Sequence, residues 1–182
     1  RGFLLPQMAN DSRRLVSELS NPYILVTDQP ITDSRELLPL MEQLAPLGAP
    51  LLIVAESIAG DALGLLMENR RQGILNTVAV HPPAYGEGRL SRLEDLALIT
   101  GGVFFSDTTG HSDLKQATPE MLGRAAHVRV ERRNTIVAGN GQTEAIEARI
   151  RYLKILHDHS KYEFDRQQLR ERMARLGRGV AS

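Results

Sequence analysis

Apolar positions in residues 32–73 follow two different periods. Between Ser34 and Gly48, Leu37, Leu40, Leu44 and Leu47 recur at i, i+3, i+7 and i+10, a full core stripe of an amphipathic helix. Leu38 and Met41 form a second stripe about 100° around the same helix. The run Leu51-Leu-Ile-Val-Ala55 is then continuously apolar between Pro50 and Glu56, the pattern of a strand buried on both faces. Helical spacing returns from about Ala59 and stops at Gly73. Ala62, Leu65, Leu66 and Asn69 divide between core and rim, while Leu63 and Met67 share another face at i, i+4. Both helices carry more apolar surface than one buried face needs. Periodicity leaves two readings open: a helix pair buried all round, or an exposed groove between two parallel-running helices that binds another protein. Methionine suits such a groove, because its unbranched side chain adapts to many partners.

The rest of the chain alternates in the same way. Residues 2–8 are a short apolar opening, and 10–14 a polar loop. Residues 22–27 read as a strand and 28–30 as a turn. Asp33 with Glu36 has capping-box spacing, Pro39 is expected near the first turn, and Pro46 and Gly48 end the helix. Residues 74–80 predict a strand, 81–88 a loop rich in breakers, 90–99 a helix ended by Thr100-Gly-Gly102, and 103–105 a strand. Thr118-Pro119 opens a short helix, 127–131 and 134–138 read as strands, and Asn140-Gly141 as a turn. A helix from Thr143 and a last helix carrying Phe164, Leu169, Met173 and Leu176 flank an interruption at 157–160 and predict an antiparallel pair. Interleaved strands and helices indicate one α/β domain over residues 1–182.

Composition narrows the function classes. Lys plus Arg equals Asp plus Glu at 22 each, which argues against a nucleic-acid binder. Cysteine is absent, so no disulfide, thiol nucleophile or Cys-ligated metal site exists. That fits the cytoplasm or an organelle matrix. No apolar run approaches the roughly 18 residues of a membrane span. The chain starts at Arg1 without a signal-peptide pattern, and the natural expectation is a segment of a longer protein.

Chemical motifs are sparse. Gly101-Gly102 lacks the Lys-Ser/Thr of a phosphate cradle, and Gly86-Glu-Gly88 is too short to carry a nucleotide site. His157 and His159 are two apart, poor co-ligands on a helix, and read as surface histidines at a helix break. No serine sits in a Gly-x-Ser-x-Gly elbow. Asp28, Glu56, Asp95 and Asp107 lie at expected element ends, where they could line a cleft at strand ends or simply cap and turn. The second reading is the better supported, so no catalytic residue and no metal ligand is assigned.

Several stretches carry a more specific resemblance. They are Arg1-Gly2-Phe3-Leu4 with Pro6; Pro22-Tyr-Ile-Leu25; Arg35-Glu-Leu-Leu-Pro39; Gly48-Ala-Pro-Leu-Leu-Ile-Val-Ala-Glu56; Gly60-Asp-Ala-Leu63; Val78-Ala-Val80; Leu93-Glu-Asp95; Leu98-Ile-Thr-Gly-Gly102; Asp165-Arg166; and Leu169-Arg-Glu-Arg172 ahead of Gly179-Val-Ala181. In this order, the sequence resembles the apical domain of a group I (GroEL-type) chaperonin over nearly its whole length. About one residue is inserted near residues 111–114 and one removed near 134–136.

The resemblance implies a fold and a task. The fold is a chaperonin apical-domain-like α/β domain with layered sheets, a groove-forming helix pair and a C-terminal helical hairpin. The task is to hold non-native polypeptides, and the mobile loop of a co-chaperonin lid, at the mouth of a homo-oligomeric ring. ATP and Mg would belong to an equatorial domain absent here, so this segment is expected to hold no cofactor and to hydrolyse nothing. By position, the polypeptide-binding side chains fall on Phe3, Leu5, Gln7, Met8, Leu38, Met41, Leu63, Met67 and Glu68. Gln7 stands where the family usually has an aromatic, Glu68 where it has an aliphatic, and Leu5 where serine is common. The loop 81–88 lacks the family's Lys and Arg, and Arg178 separates two glycines that are consecutive in the family. These departures imply a divergent member, and Gln7 and Glu68 favour the alternative of a paralogue dedicated to binding or assembly. An apolar groove of this kind would hold one segment with roughly micromolar affinity.

Overall fold

A computed structural model describes residues 2–10, 13, 15–83 and 86–181. Arg1, Asp11, Ser12, Arg14, Ala84, Tyr85 and Ser182 lie outside it, and with them parts of the expected polar loop and of the loop 81–88.

The strands are β1 (Ser17–Ser20), β2 (Tyr23–Thr27), β3 (Pro30–Ile31), β4 (Leu51–Val54), β5 (Ser57–Ile58), β6 (Thr77–Val80), β7 (Phe104–Phe105), β8 (Gly123–Val130), β9 (Thr135–Gly139) and β10 (Val180–Ala181). The helices are α1 (Ser34–Leu44), α2 (Gly60–Arg71), α3 (Glu87–Thr100), α4 (Thr143–His159) and α5 (Glu163–Arg178). The result is the mixed α/β architecture that the interleaving predicts.

One half of the main sheet is parallel. β2 pairs with β4 and with β7, and β4 pairs with β6, all in parallel. Every residue of β4 is buried, as its apolar run predicts for a strand covered on both faces. The other half is antiparallel: β8 pairs with β1, β9 and, through Gly123 and Arg124, with β2, while β10 pairs with β9. Residues β2–α1–β4–α2–β6 are two successive crossovers in one direction, and right-handed crossovers put α1 and α2 side by side on one face. The connection through α3 returns past β2 to β7 and so lies on the opposite face. There α3 meets the hairpin of α4 and α5, around Ile99, Leu153 and Leu176.

Local details bear out several expectations and correct others. The Asp33 carboxylate accepts from Arg35 N–H at 2.9 Å while the Glu36 carboxylate accepts from Asp33 N–H at 3.2 Å, a reciprocal cap on α1. Pro39, however, lies in the interior of α1 rather than in its first turn. Gly48 ends the following 3-10 turn with φ +67°. The strand expected over 74–80 is shorter, beginning at Thr77, and the one expected at 127–131 begins at Gly123. A Cβ at Gly123 would fall 2.2 Å from Thr100 Oγ1, so only glycine lets β8 pass against the end of α3. α4 continues through His157, which is buried against α5 with Nε2 3.3 Å from Arg170 Nη1. The expected helix break at 157–160 is therefore a turn beginning at Ser160, and His157 is not a surface histidine. Strand β1 has no counterpart in the sequence reading.

Candidate functional site on the α1–α2 face

The two helices are joined at their N-termini. Ser34 donates through its N–H to Asp61 Oδ1 at 3.1 Å and through its hydroxyl to Asp61 Oδ2 at 2.9 Å. Gly60 makes the approach possible: its φ is +60°, and a Cβ there would stand 2.9 Å from the Thr32 carbonyl. With the first turns tied and both helices returning from parallel strands, α1 and α2 run alongside one another.

Their faces divide unequally. Leu37, Leu40 and Leu44 are buried in the core, as are Ala62 and Leu66. Leu38 is 41% exposed and stands on the open side of α1. Leu63, Leu65 and Met67 are half-buried, packed on the core but reaching the surface. Met41 is the correction: it is 4% exposed and belongs to the core. The 3-10 turns Leu114–Gln116 and Pro119–Met121 lie against α1 and widen its covered side. Periodicity along α1 cannot register a cover supplied from residues so distant in the chain.

The opening segment is built onto the same end of the sheet. Phe3 forms a bridge to Val80, and Leu4 N–H donates to the Ala79 carbonyl at 2.9 Å. Phe3 and Leu5 are half-buried and Gln7 is exposed. Met8 is fully buried, with its Sδ accepting from Ala79 N–H at 3.2 Å. It is a core residue in this structure, not open surface, because the 3-10 turn Pro6–Met8 rolls it inward against β6. Arg70 of α2 holds this segment in place. Its guanidinium donates to the Met8 carbonyl and to Asn10 Oδ1, both at 2.8 Å, and to the Thr77 carbonyl at 3.1 Å. Burial lowers the Arg70 pKa. A shallow hollow here brings Gln7, Ala9 and Met67 together beside Arg70. The sequence reading missed Arg70, and its only signal was a basic residue late in α2, which the helix dipole alone would explain.

Glu68 is exposed and does not point a free charge across the face. Arg71 Nε and Nη2 donate to it at 2.9 and 2.6 Å, and Gln72 also donates to it. The Arg71 hydrogen bonds, and then that of Gln72, hold the Glu68 carboxyl down at about 2. The charge on this rim is thus paired with Arg71 rather than free.

Of the nine residues assigned by resemblance, Leu38, Leu63 and Met67 with Gln7 and Glu68 share accessible surface along α1, α2 and the opening segment. Phe3 and Leu5 border it, and Met8 and Met41 lie beneath it. Each of the four carboxylates considered for cleft chemistry is engaged by a neighbouring side chain. Asp28 accepts from the Ser106 hydroxyl at 2.8 Å, Asp107 from Gln29 at 3.2 Å, Glu56 pairs with Arg89, and Asp95 with Arg172. Among the described residues no cluster of three or more His, Asp or Glu side chains is arranged to hold a metal, and no helix is long and apolar enough to cross a membrane. A scan against protein-family models finds none that matches the chain.

Proposed function

We propose that this chain is a polypeptide-binding module of the chaperonin apical type. It captures non-native polypeptides, and the mobile loop of a co-chaperonin lid, on the α1–α2 face. The observation that carries the proposal is the line of incompletely covered apolar side chains, Leu38, Leu63, Leu65 and Met67, on two helices tied at their N-termini. An apolar surface of this kind recognises many unrelated chains, because burial is non-directional and needs no sequence match. The chaperonin resemblance of the stretches through Gly48–Glu56 and Leu98–Gly102 supports the same reading. In a ring of identical subunits, several such faces would act on one client, and ATP and Mg bound in another domain of the parent chain would drive release. The module itself carries no catalytic residue in this scheme, and its compartment is the cytoplasm or an organelle matrix.

The test is a fluorescence titration with a denatured client. Leu38→Glu and Leu63→Glu abolish binding while circular dichroism stays native. Unchanged affinity in both variants would refute the assignment. Glu68→Val tightens binding of apolar peptides, and weaker binding would show that the Glu68–Arg71 pair supports the face. A dedicated binding or assembly factor is favoured by Gln7 and Glu68, which put polar groups at the margin of the apolar line. Rescue of a panel of unrelated denatured proteins by the full-length parent distinguishes the two readings.

A further inference from the structure

A second cleft, narrow and half-open, lies where α3 and α5 meet the ends of β4 and β6. Its floor is apolar. Val54 and Val80, the last residues of β4 and β6, meet Leu96 of α3 and Leu176 of α5. The carboxyl ends of parallel strands are where α/β sheets present their ligand crevices.

The mouth is cationic. Arg172 is satisfied, with Nε and Nη2 donating to the two carboxylate oxygens of Asp95 at 2.7 and 3.0 Å. Both members of that pair are largely buried, so it forms a fixed wall. Arg92 and Arg175 differ. Among the described residues, Arg92 hydrogen-bonds only the neutral Gln168 Oε1, at 3.4 Å, and the Arg175 side chain has no hydrogen-bond partner. The pKa of Arg92 is lowered by burial and then by the neighbouring Arg175 and Arg172, while Glu171 opposes the shift. Arg92 and Arg175 set against Glu171 leave one positive charge at the mouth, above an apolar slot. Both guanidiniums line the cleft, and a carboxylate between them would add charge-assisted hydrogen bonds that the described residues do not supply.

We propose that the cleft between α3 and α5 binds a small amphiphilic monocarboxylate, its aliphatic tail on Val54, Val80, Leu96 and Leu176 and its carboxylate between Arg92 and Arg175. A single residual charge selects a monoanion, and the apolar floor selects a hydrocarbon tail. The site is independent of the polypeptide-binding proposal.

Octanoate is the probe, titrated into the ¹⁵N-labelled chain and followed by amide chemical shifts, with octan-1-ol and acetate as comparators. Octanoate shifts amides of α3, α5 and the ends of β4 and β6, whereas octan-1-ol and acetate, each lacking one half of the recognition, bind at least about tenfold more weakly. The double variant R92Q/R175Q loses at least about tenfold in octanoate affinity, and R92K/R175K keeps most of it. The proposal is overturned if octanoate shifts only α1 and α2, if octan-1-ol binds as tightly, or if no shift develops by about 10 mM octanoate. The wild-type shift map and the comparison of probes decide the matter even where a variant fails to fold.

Discussion

Replacing Arg70 with methionine tests whether the opening segment is held by α2. Methionine keeps much of the aliphatic stem and removes the guanidinium. Four contacts disappear: those to the carbonyls of Met8 and Thr77, and those to the side chains of Asn10 and Asn76. The two asparagine contacts are exposed and contribute little. The two carbonyl contacts are partly buried, and a hydrogen bond from a charged donor contributes about 1.5–3 kcal/mol net. Part of that is recovered, because the guanidinium no longer has to be desolvated and the freed carbonyls can reach water. The expected loss is about 2–3 kcal/mol. For a chain of this size that lowers Tm by roughly 5–10 °C. Urea unfolding followed by circular dichroism measures the global loss. Amide hydrogen exchange locates it: Leu4 N–H, bonded to the Ala79 carbonyl, and Met8 N–H, bonded to the Leu5 carbonyl, lose protection beyond the global change. Stability within about 0.5 kcal/mol of wild type, with both amides still protected, would refute the clamp. Arg70→Lys behaves like the methionine variant, because one ammonium cannot span acceptors on two separate segments.

Other consequences can be checked in the same way. Met41→Ala costs about 2–4 kcal/mol in urea unfolding, the cost of a core cavity, while Leu38→Ala costs under about 1 kcal/mol. Equal losses would return Met41 to the surface. Glu68 titrates near 2 by carboxyl NMR rather than at the ordinary 4.5, and Arg71→Met moves it upward. Since its folded pKa is lowered, its stabilising contribution is complete above about 4.5 and is lost as pH falls through about 2. Acidification from pH 7 to pH 5 therefore leaves the charge at this rim in place, and a titration near 4.5 would contradict the ion pair. Asp95→Asn strands the largely buried Arg172 and lowers stability by about 3 kcal/mol, while Asp95→Asn/Arg172→Met recovers part of the loss.

What the sequence revealed was mostly local. The cap at Asp33 and Glu36, the stop at Gly48 and the all-buried strand β4 each depend on residues within a few positions of one another, and each is observed. The misreadings arise where distant segments decide burial. Met41 lies on a face that helical spacing alone leaves open, yet turns more than seventy residues downstream, at Leu114–Gln116 and Pro119–Met121, cover that side of α1. Met8 sits in an apolar opening whose burial depends on Ala79 and Arg70. β1 reads Ser-Glu-Leu-Ser, with Leu19 its only apolar residue, and its strand character comes from pairing with β8. The cationic mouth of the α3–α5 cleft draws Arg92 and Arg175 from two helices that no short motif connects.

The burial of Met8 and Met41 also changes the affinity expected of the α1–α2 face. The accessible line consists of Leu38, Leu63, Leu65 and Met67, each already partly covered. Counting about half of the usual 1.5–3 kcal/mol for each, and the full value for two apolar anchors on a bound peptide, gives about 9 kcal/mol gross. Association costs at least about 4 kcal/mol, leaving about 5 kcal/mol, or a Kd near 10⁻⁴ M. That is weaker than the micromolar figure that suits a groove lined by all nine assigned residues. A single module of this kind would hold a client only briefly, and useful capture would require several faces engaging one chain, where avidity exceeds single-site affinity by about 10²–10⁴. Isothermal titration of one apolar peptide onto the isolated chain, compared with two copies of the chain joined by a flexible linker and a peptide carrying two binding segments, tests this directly. Weak single-site binding that strengthens at least about a hundredfold on linkage is the expected result. Nanomolar binding by the single chain would mean that Met8 and Met41 emerge to line the face when a peptide binds, and that the open surface seen here understates the site.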